Sequence, residues 1–529
     1  MKKETFGVML DCSRNAVMNN QTFERFVDLL AKLGYNAIML YTEDTYEIEE
    51  EPLFGYMRGR YTKEDLKHFD KYCLDRGIEL IPCVQTLAHL NTLFKWRKYE
   101  AFRDTDDILL LDDERTYKLI DNMFKTIKEC FTTDRVHIGM DEAHRLGAGR
   151  YLDTHEYKPR FDMIVEHLNT VSKMAEGYGL KPMMWADMLL KRMLPHFENN
   201  DKEGAEALKK HANLDKNITL IDWCYGIVPH DIRTKRFKAG QAFGNKVGFA
   251  GSFWCWKGIV PCTQNSVDAA KGAIEACRAN GVTDMFFTMW GDDGAEGSKF
   301  MVLPAIFAAS EYFKGNTDIE DIKVKFKQEF NCDFDDFIRL EDLDTCKEDD
   351  KGQYNESPAK YLLYNDPFVG CNEFRIFPEN NEYYKNLAKE IRGLDISDEY
   401  RYIFDTSAAL CDLLAVKNDL GYTARKLYKA GDKKALKEFA ETAYTESIKL
   451  TRAYHRALRN QWYKENRTFG FEVQDIRLGG LMLRLENCKE MIVDYCDGKI
   501  ENIPELEQEL TESVTYSTLW NNIVSPAVI

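Results

Sequence analysis

Eight short apolar runs alternate with polar loops and helical patterns through the first part of the chain. They cover 5–10, 37–41, 79–84, 135–140, 182–186, 218–222, 247–252 and 285–289. A run of that length bounded by polar turns reads as a strand buried on both faces, the habit of parallel sheet. Between the runs, Phe23, Phe26, Val27, Leu29, Leu30 and Leu33 recur at helical spacing. Thr62-Lys63-Glu64-Asp65 reads as a capping box with Asp in place of Glu, opening a helix through Leu66, Phe69, Tyr72 and Cys73. Tyr117, Leu119, Ile120, Met123, Ile127 and Cys130 mark a third helix. Strands alternating with helices leave two architectures, a (β/α)8 TIM barrel and an open doubly wound sheet. Eight strands favour the barrel.

In either architecture pockets form at the carboxyl ends of the strands, and those ends carry reactive residues. They are Asp11 and Arg14; Gln85 and His89; Asp141 and Glu142; Trp185 and Asp187; Asp222, Trp223 and Tyr225; Trp254 and Trp256; and Trp290, Asp292 and Asp293. Five of the eight tryptophans fall in this set. Flat rings beside polar groups suit a sugar, whose C–H faces stack while its hydroxyls need hydrogen bonds. Asp141-Glu142 follows the run Val136-His137-Ile138-Gly139-Met140 directly. Two acids in one pocket seldom ionise alike, and one charged with one protonated carboxyl is the equipment of glycoside chemistry. The alternative use is structural, with Asp141 as a helix cap and Glu142 as a first-turn acid.

Composition narrows the class. At 529 residues the chain suits two or three domains, and 44% hydrophobic content supplies real cores. A net charge of −17 argues against nucleic acid and anionic membrane as partners. No segment approaches the roughly 18 apolar residues of a membrane span. The start, Met1-Lys2-Lys3, runs into Asp11 and Arg14 without the apolar core of an export signal. Fourteen cysteines without a C-x-x-C pair read as reduced thiols of a cytoplasmic protein.

His137-Ile138-Gly139-Met140-Asp141-Glu142 resembles the catalytic motif of glycoside hydrolase family 20, the exo-β-N-acetylhexosaminidases, and the similarity extends from about Phe6 to Trp290. Asp11-Cys12-Ser13-Arg14 is similar to the family's first-strand motif, Gln85-Thr86-Leu87-Ala88-His89 to its third-strand loop, and Trp290-Gly291-Asp292 to a last-strand Trp-x-Glu. Three departures stand out. Met140 replaces a frequent glycine, Asp292 stands where Glu is usual, and the family's small domain ahead of the barrel is not expected here, as in a cytoplasmic branch of the family.

The resemblance implies a retaining, substrate-assisted mechanism without cofactor or metal. The nucleophile is the substrate's own 2-acetamido oxygen, already tethered beside the anomeric carbon. Asp141 stays ionised, accepts from the acetamido N–H and stabilises an oxazolinium intermediate. Glu142 donates a proton to the glycosidic oxygen and then takes one from water. Arg14 donates to the 3- and 4-hydroxyls; its other use is an ion pair with Asp11. Trp185, Trp254 and Trp290 line the sugar or serve as core. Tyr225 bonds the acetamido carbonyl, Asp292 holds hydroxyls, and His89 orients the acids. His137 is expected to be a buried, hydrogen-bonded histidine. Asp187 and Asp222 can equally be helix caps. The substrate implied is an oligosaccharide or glycoconjugate ending in N-acetylhexosamine.

Three rivals remain at this stage. One is a metal-dependent barrel hydrolase with His89, His137, Asp141, Glu142 and His144 as ligands, at spacings that match no standard site. Another is a non-catalytic sugar-binding protein. The third is a retaining β-glycosidase of another family with Asp222 or Asp292 as nucleophile. The acid run from Glu43 to Glu51 reads as a solvated loop over the pocket, with Arg58 and Arg60 either pairing with it or meeting substrate. The division expected is a catalytic barrel over 1–315, ending in a helix over 298–313, and a helical region over 316–529. In the latter, helices are expected at 324–330, 384–391, 400–419, 433–460 and 473–495, with a long connection at 341–367. That region either extends the pocket rim or forms a homodimer contact.

Overall fold

The computed structural model describes residues 4–191, 210, 213–256, 258–345, 357–371, 373–511, 519–527 and 529. Eight parallel strands close into a barrel in chain order: β1 (Thr5–Asp11), β2 (Ala37–Tyr41), β3 (Glu79–Cys83), β4 (Arg135–His137), β5 (Lys181–Trp185), β6 (Thr219–Trp223), β7 (Lys246–Ser252) and β8 (Asp284–Met289). Ring closure is visible at Gly7, which stands opposite Ala37 on one side and Phe286 on the other.

The apolar runs follow from burial on both faces. Along β2, Ala37, Met39 and Tyr41 point into the lumen, where they meet Met9, Ile81, Cys83, Met183, Trp185, Ile221, Ala250, Phe286 and Trp290. Ile38 and Leu40 point outward into the larger core under the helices. The helix Asn20–Leu33 is capped by the Asn19 side chain and ends on a left-handed Gly34. Lys63–Leu74 starts on the reciprocal Thr62–Asp65 capping box that its sequence predicts.

β4 is shorter than its apolar run. It ends at His137, because Gly139, Met140 and Glu142 all take positive φ, 71°, 72° and 52°. Ile138 and Met140 are wholly buried, so they look like strand in the sequence although the chain has left the sheet.

After β8 the helix Leu303–Lys314 ends on a left-handed Gly315. The rest of the described chain is helical, with Ile319–Phe330, Asn380–Gly393, Arg401–Lys417, Thr445–Glu465 and Phe471–Cys496 as its longer members. The stretch expected to be helical over 433–460 is helical from Lys433 to Glu465, with a π turn at Ala440–Tyr444 inside it. The connection expected over 341–367 holds a helix, Pro358–Tyr364, and its residues 346–356 lie outside the described ones. No described helix is long and apolar enough to cross a membrane.

The acid run is not a solvated loop throughout. Glu43, Asp44 and Glu51 are buried at 2%, 1% and 7% exposure. Each has partners: Glu43 takes Arg14 and Tyr41, Asp44 takes Arg58, and Glu51 takes Lys98 and Tyr99. Arg58 and Arg60 are therefore spent on the protein; Arg60 donates to the Pro52 carbonyl at 3.1 Å.

Candidate active site

The turn after β4 builds the centre of the site. A Cβ on Gly139 would stand 2.1 Å from Gln85 Oε1, so only glycine lets this glutamine lie against the turn. Gln85 Oε1 accepts from Met140 N at 3.1 Å, and Gln85 Nε2 donates to Asp141 Oδ1 at 2.7 Å and to Tyr41 OH at 3.0 Å. The other oxygen, Asp141 Oδ2, lies 3.1 Å from His89 Nε2. Burial opposes charge on Asp141, but His89 and the Gln85 hydrogen bond outweigh it and hold the carboxyl below its ordinary range. Glu142 differs: its side chain is 51% exposed, at the mouth, with Oε2 3.7 Å from His89 Nε2. One acid is thus fixed and ionised inside the pocket, and its neighbour is free to move at the rim.

His89 answers both acids. Burial alone would strip its charge; Asp141 outweighs burial and, against Arg14, raises the imidazole to about 9. The His89 contribution to stability is therefore whole below its ordinary value of 6.5 and is lost as pH rises through about 9. Removing this cation releases Asp141 toward ordinary carboxyl behaviour. In His89→Ala the acid limb of the kcat/KM–pH profile moves up by roughly one unit or more. An unmoved limb would show that Asp141 does not depend on His89.

A second cluster adjoins the first, Arg14 NH2 lying 3.4 Å from His89 Nδ1. Arg14 Nε donates to Glu43 Oε1 at 3.1 Å, and Arg14 NH1 lies 3.3 Å from Asp292 Oδ1. Arg14 does not pair with Asp11, which instead accepts from Ser13 and from Gly291 N at 2.8 Å. Trp290 Nε1 donates to Tyr225 OH at 2.7 Å. The Tyr225 hydroxyl also hydrogen-bonds the Thr288 side chain; both bonds lower its pKa, but burial outweighs them and pushes it up.

These walls enclose a pocket of about 180 Å³ lined by Arg14, His89, Asp141, Glu142, Trp223, Tyr225, Trp256, Trp290 and Asp292. All nine stand in the strand-end set read from sequence, and seven of them had been given a role at the site. Trp185 and Trp254 do not line it. Trp185 points into the lumen like Met183, wholly buried, with its ring 4.2 Å from that of His137. Trp254 stacks behind Trp256 at 5.7 Å. Trp223 and Trp256 take the lining positions.

Sequence reasoning read Glu43 as part of a solvated loop and Asp187 as a strand-end acid or helix cap. Asp187 Oδ2 accepts from Glu142 N at 3.1 Å and so holds the left-handed rim residue. Burial and the Asp141 charge raise its pKa. The only sequence signal for Asp187 was its place just after a strand end.

The rival metal-ligand set comes apart in space, and of the two rival nucleophiles only Asp292 lines the pocket. Asp222 is buried and gripped by Arg236 at 2.6 and 3.0 Å, away from the pocket lining. His137 is wholly buried, accepts from Gly139 N at 3.2 Å and is pushed down to about 3 by burial, while His144 is exposed. No three His, Cys, Asp or Glu side chains converge as metal ligands among the described residues.

Residues 6–223 match the glycosyl hydrolase family 20 catalytic domain, and residues 335–521 match the Glycoside Hydrolase 20C C-terminal domain. The chain is 26% identical over 170 residues to hexosaminidase D of Bos taurus, covering 30% of this chain and 49% of that one. It is 24% identical over 162 residues to beta-hexosaminidase 1 of Coccidioides posadasii, covering 26% and 27%. The chain thus spans half or less of the length of these curated relatives. A solved chitobiase from Flavobacterium johnsoniae shares 16% identity, with 96% of this chain and 74% of that one covered and a TM-score of 0.48.

Proposed function

Since this chain belongs to glycoside hydrolase family 20, matching its models over β1 to β6 of the barrel and over 335–521 of the helical region, we propose that it is a retaining exo-β-N-acetylhexosaminidase. It releases terminal non-reducing β-linked GlcNAc or GalNAc by substrate-assisted catalysis, the barrel over 1–315 carrying the chemistry and the helical region over 316–529 packing on it.

The observation that carries this reading is the asymmetry of the acid pair. Asp141, at 7% exposure, has its carboxylate fixed by Gln85 and His89 and faces the pocket as an acceptor. That suits a neutral amide N–H whose nitrogen gains positive character as the acetamido oxygen attacks the anomeric carbon. The ring that forms is an oxazolinium, and Asp141, fixed before the reaction begins, stabilises its charge. Tyr225, whose hydroxyl is fixed by Trp290, donates to the acetamido oxygen and holds it on the attack path. Glu142 at the rim reaches the glycosidic oxygen, donates its proton to the departing group, and as a carboxylate then takes a proton from the water that opens the ring. Two displacements at one carbon return the β configuration. Arg14 and Asp292 hold the hydroxyls at the far end of the sugar, and Trp223, Trp256 and Trp290 wall its faces. Free thiols throughout the described chain fit a reducing, cytoplasmic setting.

A panel of aryl β-glycosides tests the reading. Aryl β-GlcNAc or β-GalNAc is expected to turn over, and the matching β-glucoside, which lacks the internal nucleophile, to lose nearly all rate. A thiazoline that copies the cyclised intermediate is expected to bind far more tightly than substrate. Equal rates on the β-glucoside would sink the mechanism.

A further inference from the structure

The barrel holds the start of the β8 loop, where Gly291 N donates to Asp11 Oδ2 at 2.8 Å and Asp292 meets Arg14. Asp293, Gly294 and Ala295 follow it with φ of 47°, 110° and 52°, three successive residues in the left-handed region, two of them not glycine. A turn of that kind persists only where its surroundings over-determine it. Here they come from the helical region. Arg477 NH2 donates to Asp293 Oδ1 at 2.9 Å, and Arg477 NH1 to the Asp293 carbonyl at 2.9 Å and to Glu296 Oε1 at 3.2 Å. Gln474 Nε2 donates to the Gly294 carbonyl at 3.2 Å. Lys360 Nζ lies 3.1 Å from Asp293 Oδ2 and 2.6 Å from Glu296 Oε2. Trp520 N donates to Asp293 Oδ2 at 2.8 Å. A Cβ on Gly294 would meet Arg477 NH1 at 2.6 Å, so the guanidinium lies directly on the turn.

The same segment reaches the other wall. Gln474 and Arg477 sit one turn apart on Phe471–Cys496, a helix that starts at Gly470. A Cβ on Gly470 would stand 2.2 Å from the carbonyl oxygen of Asn15, the neighbour of Arg14. Three residues earlier, Arg467 N donates to the Val17 carbonyl at 2.7 Å, and its guanidinium to the Arg60 carbonyl at 2.7 Å. One stretch of chain, 467–477, therefore braces the loop of Arg14 and the loop of Asp292, the two sides of a pair separated by 3.3 Å.

We propose that Arg477 is a positioning residue for substrate recognition: through Asp293 it fixes Asp292 against Arg14, so that the helical region sets how strictly the site demands a hydroxyl at the far end of the sugar. The proposal rests on the reading of Arg14 and Asp292 as hydroxyl-binding groups. Arg477 touches no substrate; its effect passes through the backbone of the turn.

The experiment compares aryl β-GlcNAc with its 4-deoxy analogue, with the same leaving group, in the full chain and in Arg477→Met, Arg477→Lys and Gln474→Leu. The unaltered protein is expected to prefer the 4-hydroxyl substrate by roughly 10- to 100-fold in kcat/KM, as for a lost hydrogen bond to a charged group. Arg477→Met is expected to lose most of that preference through a higher KM for the hydroxylated substrate, with kcat/KM for the 4-deoxy analogue little changed. Arg477→Lys should recover part of it. Gln474→Leu, which removes one bond to the turn, should lower it by a smaller factor and serves as the test if Arg477→Met does not fold. Full discrimination in a folded Arg477→Met, or in Gln474→Leu where it stands in, overturns the proposal alone. No discrimination in the unaltered protein overturns the hydroxyl-binding premise and the proposal with it.

Discussion

Glu142→Gln is expected to lower turnover of a β-N-acetylglucosaminide with a poor leaving group by roughly 10²–10⁴-fold, the usual worth of a positioned proton donor. The loss should shrink for a dinitrophenyl glycoside, whose leaving group departs without a proton, because only the first step is then spared the defect. Glu142 suits this test because its carboxyl makes little else. It is half-exposed, and the turn is anchored through its backbone N–H on Asp187, not through its side chain. The amide variant keeps volume and backbone, so melting temperature and affinity for the thiazoline should stay close to those of the parent. A uniform loss across good and poor leaving groups would instead mean that Glu142 orients the sugar and that another group moves the proton.

The barrel was legible because a parallel strand covered on both faces must be apolar along its whole length. Ala37–Tyr41 is buried at every position, and its sequence boundaries coincide with its structural ones. β4 was overdrawn for the same reason. Ile138 and Met140 are as buried as strand residues, and nothing in hydrophobicity reports a φ of +72°. The helical region was legible as helices but not as a brace. Arg477 reads as one more charged helix residue until the fold brings the Asp293 turn beneath it, 184 positions earlier in the chain.

The candidate site was legible where position along a strand decides function. Asp141, Glu142, His89 and Trp290 all stand just past strand ends, and all reach the pocket. Direction was harder to read. Trp185 closes β5 and Trp223 closes β6, yet the first is wholly buried in the lumen and the second lines the pocket. Trp185 stands opposite Ile221 in the ladder, so Trp223 rises two residues higher, and composition does not record it. Glu43 was hidden because its partner Arg14 lies 29 residues away, and an acid within an acid-rich stretch reads as solvated until the opposite charge is found.

Asp141→Asn is the second large effect, and it separates turnover from binding. The carboxylate is asked to accept on both oxygens: Gln85 Nε2 donates to Oδ1 at 2.7 Å and His89 Nε2 stands 3.1 Å from Oδ2. An asparagine has one acceptor. If its oxygen takes Gln85, its amide N–H₂ faces His89 and the acetamido N–H, donor against donor; if it flips, the clash moves to Gln85. Either way the charge that stabilises the oxazolinium is gone, and kcat should fall by about 10²–10³-fold, as when one preorganised transition-state contact is removed. KM should change much less, since a neutral amide in the ground state gains little from a carboxylate beside it. Affinity for a cationic mimic of the cyclised intermediate should drop with kcat, not with KM. His89, relieved of the charge that raises it, should titrate below about 9, which an NMR titration of the imidazole would register. Turnover left intact in Asp141→Asn would mean that the acetamido group is not the nucleophile. The nucleophile would then have to be another carboxylate of the pocket, Asp292, with the β-glucoside restored as a substrate.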